Sequence, residues 1–314
     1  KMKLDNVAKS LQEKNNIDIL THHYPDGDTL GSAYGLCKAL QDMGKNARVI
    51  LSGKAATKFD YLKNGVKENS FTPEFIMSVD VAAPQLLGDN EESYSNKIQL
   101  CIDHHGSNSL GVEDSYIDDT AASTCEIIFD LINLMNVEIT KEIANCLYTG
   151  VSTDTGCFMY TNTTAKTHMI AAKLIECGAD FAVINRAMFE TKTKQKLALE
   201  RMVYDTLDYY YDGKLAIIYT TLAMQDKLNL GDDQMEGLAS IPRQIDGVKM
   251  GITIREKQDN VFKISVRTNG DTDACEFCKK FGGGGHKAAS GCAINGTLES
   301  VKQQLIDAAK EILQ

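Results

Sequence analysis

Six residues in the first half of the chain have the types and spacing to hold metal ions: His22, Asp26, Asp28, Asp80, His104 and Asp154, with Asp103 and His105 beside them. Carboxylates converging without cations would repel one another and drive some pKa values sharply upward. Divalent metals remove that conflict. An oxygen-rich donor set with a minority of imidazole favours manganese, magnesium or cobalt over a thiolate-type zinc site. A pair of such ions about 3.5 to 4 Å apart holds a hydroxide between them and clamps an in-line phosphoryl displacement.

The elements that must position these residues are legible around them. Ile17, Ile19 and Leu20 end a buried strand, and the turn at 21–32 then packs His22, Asp26 and Asp28 around Pro25 and Gly27. Carboxyl ends of strands are where open α/β sheets collect ligands. Leu30, Ala33, Cys37 and Leu40 recur as one face of a helix, which Gly44 closes. The same turn also reads as a solvated, Asp-rich helix start with Asp28 or Thr29 as N-cap. Further strands are expected at 47–51, 75–79 and 98–102, the third ending on Asp80 and the fourth on Asp103, His104 and His105. A polar helical connection is expected at 54–65 and helices at 121–135 and 140–151, the last running into Asp154 and Gly156. Strands alternating with helices imply a mostly parallel sheet covered on both faces.

Composition bounds the rest. At 314 residues, 43% hydrophobic and 24% charged, the chain suits two domains of ordinary globular character. No run approaches the roughly 18 to 20 apolar residues of a membrane span, and residues 1–5 lack the apolar core of a signal peptide. A cytoplasmic protein with no membrane partner is the expectation. Nine scattered cysteines suit reduced thiols, and Cys275 and Cys278 lack a second pair at zinc-ribbon spacing. The net charge of −10 argues against a grip on long nucleic acid. Small anions in a metal-loaded site remain compatible with it, because a divalent ion reverses the local field.

In the second half, helices are expected at 164–177, 182–188 and 195–209, the last as a connector. A strand at 215–219, an antiparallel pair at 247–255 and 261–267, a helix at 274–281, a strand near Ser290 and a closing helix at 298–313 follow. Between helix and strand lie Gly282, Gly283, Gly284 and Gly285, then His286 and Lys287. Such a run lets backbone N–H groups approach a phosphate or base closely. His23 reads either as a substrate group or as a packed or solvated histidine.

Taken in order, His22-x-x-x-Asp26-x-Asp28, the strand-end Asp80, Asp103-His104-His105, Ser152-Thr153-Asp154-Thr155-Gly156 and Gly282 to His286 resemble the motifs of the DHH phosphoesterase family. They are most similar to its two-domain bacterial nanoRNase/pAp phosphatase branch, which carries a DHH-associated C-terminal domain. The resemblance runs from about Asn16 to Gly296, and five ordered motifs are far more specific than one. It implies an α/β fold: an N-terminal, mostly parallel sheet flanked by helices, and a smaller C-terminal α/β domain with a cleft between them. The expected divisions are 1–187, a helical connector at 188–211, and 212–314.

The resemblance also implies roles. His22, Asp26 and Asp80 would hold one metal, and Asp28, Asp80, His104 and Asp154 the other, with manganese expected and magnesium or cobalt as substitutes. His105 would meet a phosphate oxygen and Asp103 would orient the histidine pair. Arg267, Gly283, Gly284, Gly285 and His286 would bind the substrate. Thr29, Leu86 and Thr268 depart from the family pattern outside the ligand set. The activity implied is hydrolysis of RNA of about two to five nucleotides to 5′-mononucleotides, and of 3′-phosphoadenosine 5′-phosphate to AMP, by a hydroxide bridging two metals. Cyclic or linear dinucleotide phosphodiesterase, pyrophosphatase or exopolyphosphatase, and a non-catalytic nucleotide-binding module are the alternatives. The reading leaves room for a homodimer.

Overall fold

The computed structural model describes residues 2–230, 235 and 237–313, with His286 described in its backbone alone. Two compact units divide the chain, Lys1–Thr191 and Lys192–Gln314. The first runs α1 (Leu4–Glu13), β1 (Ile17–Leu20), α2 (Gly27–Asp42), β2 (Ala47–Ile50), β3 (Phe75–Val79), the short α3 (Glu91–Tyr94), β4 (Leu100–Asp103), β5 (Ser115–Ile117), α4 (Thr124–Leu134), α5 (Lys141–Asp154), α6 (Ala165–Glu176) and α7 (Phe181–Asn185). Its sheet has the order β2-β1-β3-β4-β5, with every neighbouring pair parallel.

Strands buried on both faces read as continuous apolar runs, and alternate residues divide here between two cores. Ile17, Ile19, Phe75, Met77, Val79, Leu100 and Ile102 pack with α1, α2, α4, α5 and α6. Leu20, Ile76 and Cys101 face the other way, toward Val81, Leu87, Ile98 and Leu110 of the connecting segments. In this strand order the connection leaving β1 runs to β2 on one side, and the connection leaving β3 runs to β4 on the other. The carboxyl ends of β1 and β3 therefore flank the crevice where such sheets bind ligands.

Three local expectations are corrected. Asp26, not Asp28 or Thr29, is the N-cap of α2, because its carboxylate accepts the N–H groups of Asp28 and Thr29 at 3.0 Å each. Residues 57–63 form a 3₁₀ helix within the expected helical connection. The strand β5, too short for a periodic signal, extends the sheet beyond β4.

The second unit contains α8 (Lys194–Tyr204), β6 (Asp208–Tyr210), β7 (Leu215–Thr220), α9 (Leu222–Leu228), β8 (Met250–Gln258), β9 (Val261–Thr268), α10 (Ala274–Lys279), β10 (Gly284–His286), β11 (Ala289–Asn295) and α11 (Leu298–Leu313). Its mixed sheet has the order β10-β11-β9-β8-β7-β6. The segment expected as a connector is shared between the units: residues through Thr191 belong to the first, while Leu199 and Val203 of α8 pack on Ile218, Leu238 and Ile241. The helix also ends earlier than expected, at Tyr204. Thr206 turns its hydroxyl back to the carbonyls of Val203 and Tyr219, and Tyr209 pairs with Ala216 in β6–β7.

What holds α2 and α5 of the first unit together is close approach. A Cβ on Gly31 of α2 would stand 2.4 Å from the Cys146 carbonyl oxygen of α5. A Cβ on Gly150 of α5 would stand 2.7 Å from Oδ1 of Asp28 and 2.2 Å from Sγ of Cys125. Backbone cannot move aside as a flexible side chain can, so Gly31→Ala is expected to cost about 1 to 3 kcal/mol. Thermal unfolding followed by circular dichroism should show a midpoint lower by roughly 2 to 12 °C. An unchanged midpoint would show that α2 and α5 separate freely.

Candidate metal centre

Three strand ends and two helix ends, the start of α2 with Asp26 and Asp28 and the end of α5, deliver the candidate residues to one place. His22 follows β1, Asp80 follows β3, Asp103 ends β4 ahead of His104 and His105, and Asp154 ends α5. Asp80 has φ of +60°, a left-handed conformation that Asp tolerates better than most residues. Its N–H donates to the Ile102 carbonyl at 2.9 Å, and its carboxylate accepts from the Thr124 hydroxyl at 2.9 Å.

Around Asp80 the side chains fall into overlapping groups. His22, Asp26 and Asp80 form one, Asp28, His104 and Asp154 a second, and Asp80, His104 and His105 a third, with the donor atoms of each within 4.8 Å of one another. Nε2 of His22 lies 3.7 Å from Asp26 Oδ1 and 3.6 Å from Asp80 Oδ2. Nε2 of His104 lies 3.3 Å from Asp154, 3.7 Å from Asp80 and 3.9 Å from Asp28. Most of these separations exceed a hydrogen bond. Two donors about 2.1 Å from a common cation lie about 3 Å apart at right angles and about 4.2 Å apart when opposed. The donor set therefore fits divalent ions in both chemistry and spacing.

The electrostatics carry the same sign. Burial, then repulsion from Asp80 and Asp26, pushes the Asp28 carboxyl well above the usual carboxylate range. Burial, then Asp28 and Asp80, does the same to Asp154. Burial alone would lower His22, but Asp26 and Asp80 outweigh it and lift the imidazole to about 10. The bond to Asp103 is the main cause that holds His105 up at about 9. Asp103 itself is opposed by burial yet held below its ordinary value by His105 and Asn108.

Several supporting residues gave no signal as functional groups in the sequence. Both oxygens of fully buried Asp28 accept backbone N–H groups at the start of α4, from Thr124 at 2.7 Å and Cys125 at 2.9 Å. The positive end of that helix favours a carboxylate there. Its own start is marked by Ser123-Thr124-Cys125-Glu126, an S-x-x-E pattern in which Ser123 accepts from the Glu126 N–H. Asp103 accepts His105 Nδ1 at 2.8 Å on one oxygen and Asn108 Nδ2 at 2.6 Å on the other. Asn162 donates to the carbonyls of Asp154 and Ala122, tying the end of α5 to the approach to α4.

The expected substrate residues lie in the second unit. His286, Ala289 and Arg267 fall in one cross-strand row of β10, β11 and β9. The glycine run is a hairpin strand more than a loop, and most of it has a local reason to be glycine. Gly282 has φ of +72° and Gly285 of +146°, and a Cβ on Gly283 would stand 2.2 Å from the Gly291 carbonyl oxygen. A Cβ on Gly284 would meet nothing within 4 Å. A separate cavity in the first unit, lined by Tyr61, Lys141, Asn145, Asp180 and Ile184 among others, shares no residue with the ligand groups.

Residues 16–151 match the DHH family, N-terminal domain, and residues 214–314 match the DHHA1 domain. The chain belongs to the DHH family. This DHH protein is 29% identical over 307 residues to a bifunctional oligoribonuclease and PAP phosphatase, NrnA, of Thermus thermophilus, across 95% of this chain and 90% of that one. It is 25% identical to the cyclic-di-AMP phosphodiesterase PdeA of Listeria monocytogenes, across 96% of this chain but 49% of that one. The crystal structure of an exopolyphosphatase-related protein from Bacteroides fragilis superposes with a TM-score of 0.88 at 27% identity, covering 99% of this chain and 97% of that one.

The His22 imidazole, held at about 10, carries a proton near neutral pH that must leave before a cation binds, so metal affinity should rise with pH. Calorimetric titration of the metal-stripped DHH protein with manganese in buffers of different ionisation heat should show release of at least about one proton per chain. Apparent affinity should rise about tenfold per unit increase in pH for each proton displaced. Binding without proton release would contradict the charge balance described here.

Proposed function

We propose that this DHH protein is a metal-dependent hydrolase of phosphoester bonds, acting on short oligoribonucleotides and on 3′-phosphoadenosine 5′-phosphate. The observation that carries the reading is the convergence of the ligand groups on Asp80 at the β1/β3 crevice, in a chain that matches NrnA along nearly all of both lengths. PdeA is matched over about half its own length and at lower identity, which gives no reason to prefer a cyclic dinucleotide.

In this reading His22, Asp26 and Asp80 hold one divalent ion and Asp28, Asp80, His104 and Asp154 a second, Asp80 being shared. Manganese is our choice of ion, given oxygen donors with a minority of imidazole. Bound there, the ions supply positive charge for the phosphate and acidify the attacking water. The protein's part is positional. Thr124 and Cys125 fix Asp28, Asn108 and Asp103 fix His105, and an imidazolium at His105 donates to a phosphate oxygen as negative charge builds. Arg267 and the segment Gly283, Gly284, Gly285 and His286 are assigned to the nucleotide. A cytoplasmic location suits these substrates, and no described helix is long and apolar enough to cross a membrane.

Release of 5′-mononucleotides from RNA of two to five nucleotides, and of phosphate from 3′-phosphoadenosine 5′-phosphate, tests the proposal with manganese present. Asp80→Asn should lower kcat by at least about a thousandfold, while Asp103→Asn, acting through His105, should lower it about 10- to 100-fold. A wild-type protein inert on both substrates but active on cyclic di-AMP or pyrophosphate would overturn the substrate assignment.

A further inference from the structure

Between the metal-ligand candidates His22 and Asp26 stands an aromatic side chain that the chemistry above does not use. Tyr24 is 72% exposed. It is two residues from each neighbour, so its Cα lies within about 7 Å of both of theirs. Exposed rings are common on protein surfaces, but this one is mounted on a fixed support. Its ring rests on His23, centroid to centroid 3.8 Å at 44°.

His23 in turn is held from several sides. Its N–H donates to the Leu86 carbonyl at 2.8 Å, and its Nδ1 lies 3.0 Å from the same oxygen. Two glycines make room for it. A Cβ on Gly88 would stand 2.6 Å from His23 Cβ, and one on Gly53 would stand 2.4 Å from the His23 carbonyl oxygen. Pro25 then restricts the next step of the chain toward Asp26. The result is an ordered pair of rings, the inner one pinned and the outer one facing solvent beside the phosphoesterase centre. A flat, preordered aromatic surface beside a phosphate-binding centre suits a nucleobase, which stacks on it without sequence-specific hydrogen bonds.

We propose that Tyr24, backed by His23, stacks the base of the nucleotide that carries the scissile phosphate, and so selects nucleotides over base-free phosphoesters. This rests on the hydrolase reading above and adds the group that recognises the base. Tyr24 acts as a positioning residue: it holds the nucleoside while the phosphate reacts. Purines, with the larger ring face, should gain more from it than pyrimidines.

The chain contains no tryptophan, so Tyr24→Trp creates a single reporter at the stack. With magnesium present, AMP should quench its fluorescence saturably, and ribose 5-phosphate should not. Tyr24→Ala should reduce the ratio of kcat/KM for 3′-phosphoadenosine 5′-phosphate to that for the same bisphosphate lacking its base by about tenfold, mainly through KM. Tyr24→Phe and Tyr24→Trp should retain the wild-type ratio. An unchanged ratio in Tyr24→Ala, or equal quenching by AMP and ribose 5-phosphate, would overturn the assignment. If the wild type hydrolyses neither bisphosphate, the hydrolase reading fails, and the fluorescence titration still decides whether Tyr24 stacks a base.

Discussion

Mutual repulsion among Asp26, Asp28, Asp80 and Asp154 is the constraint around which the first unit is built. Burial of Asp28 and Asp154 beside other carboxylates lifts both far from their ordinary range. A fold tolerates such a cluster only if something fixed holds each group in place. Here Asp28 is gripped by the amino end of α4, Asp80 by the Thr124 hydroxyl and a left-handed turn, and Asp26 by its capping bonds to α2. The crowded arrangement then has a use, because a divalent cation relieves the repulsion that the protein leaves in place.

The same constraint reaches into the packing. Gly31 and Gly150 allow α2 and α5 to cross close enough for Asp28 to sit against Cys125 and for Asp154 to reach His104. Asn162 ties the end of α5 toward α4, and Asn108 locks Asp103 so that His105 has one orientation. These are neutral groups. They set where charges stand without adding charge of their own, which is what a site must do if its net charge is to be adjusted by bound ions.

The grouping of these residues was legible in the sequence because several of the candidate ligands sit where apolar runs stop. A buried parallel strand is a short apolar segment, and Asp80 or Asp103-His104-His105 at its end is a signal that needs no tertiary information. The parallel sheet and most of its helices follow from the same alternation. Other features depend on contacts distant in sequence. The cap at Asp26 was hidden because Asp28 and Thr29 have equally suitable side chains, and only the backbone direction chooses among them. Strand β5, three residues long, has no period to detect, and β6 was absorbed into a helical pattern that Thr206 ends. The glycine run suggested an open phosphate loop, whereas Gly282, Gly283 and Gly285 meet the steric needs of a hairpin. The grip of Thr124 and Cys125 on Asp28 spans nearly a hundred residues and leaves no mark beyond a helix-start pattern at Ser123.

The most direct test of the account is the number of manganese ions bound per chain, measured by equilibrium dialysis with elemental analysis. The shared position of Asp80 predicts two ions per wild-type chain and a large loss at both positions in Asp80→Asn. One ion per wild-type chain, or two retained without the Asp80 carboxylate, would contradict it.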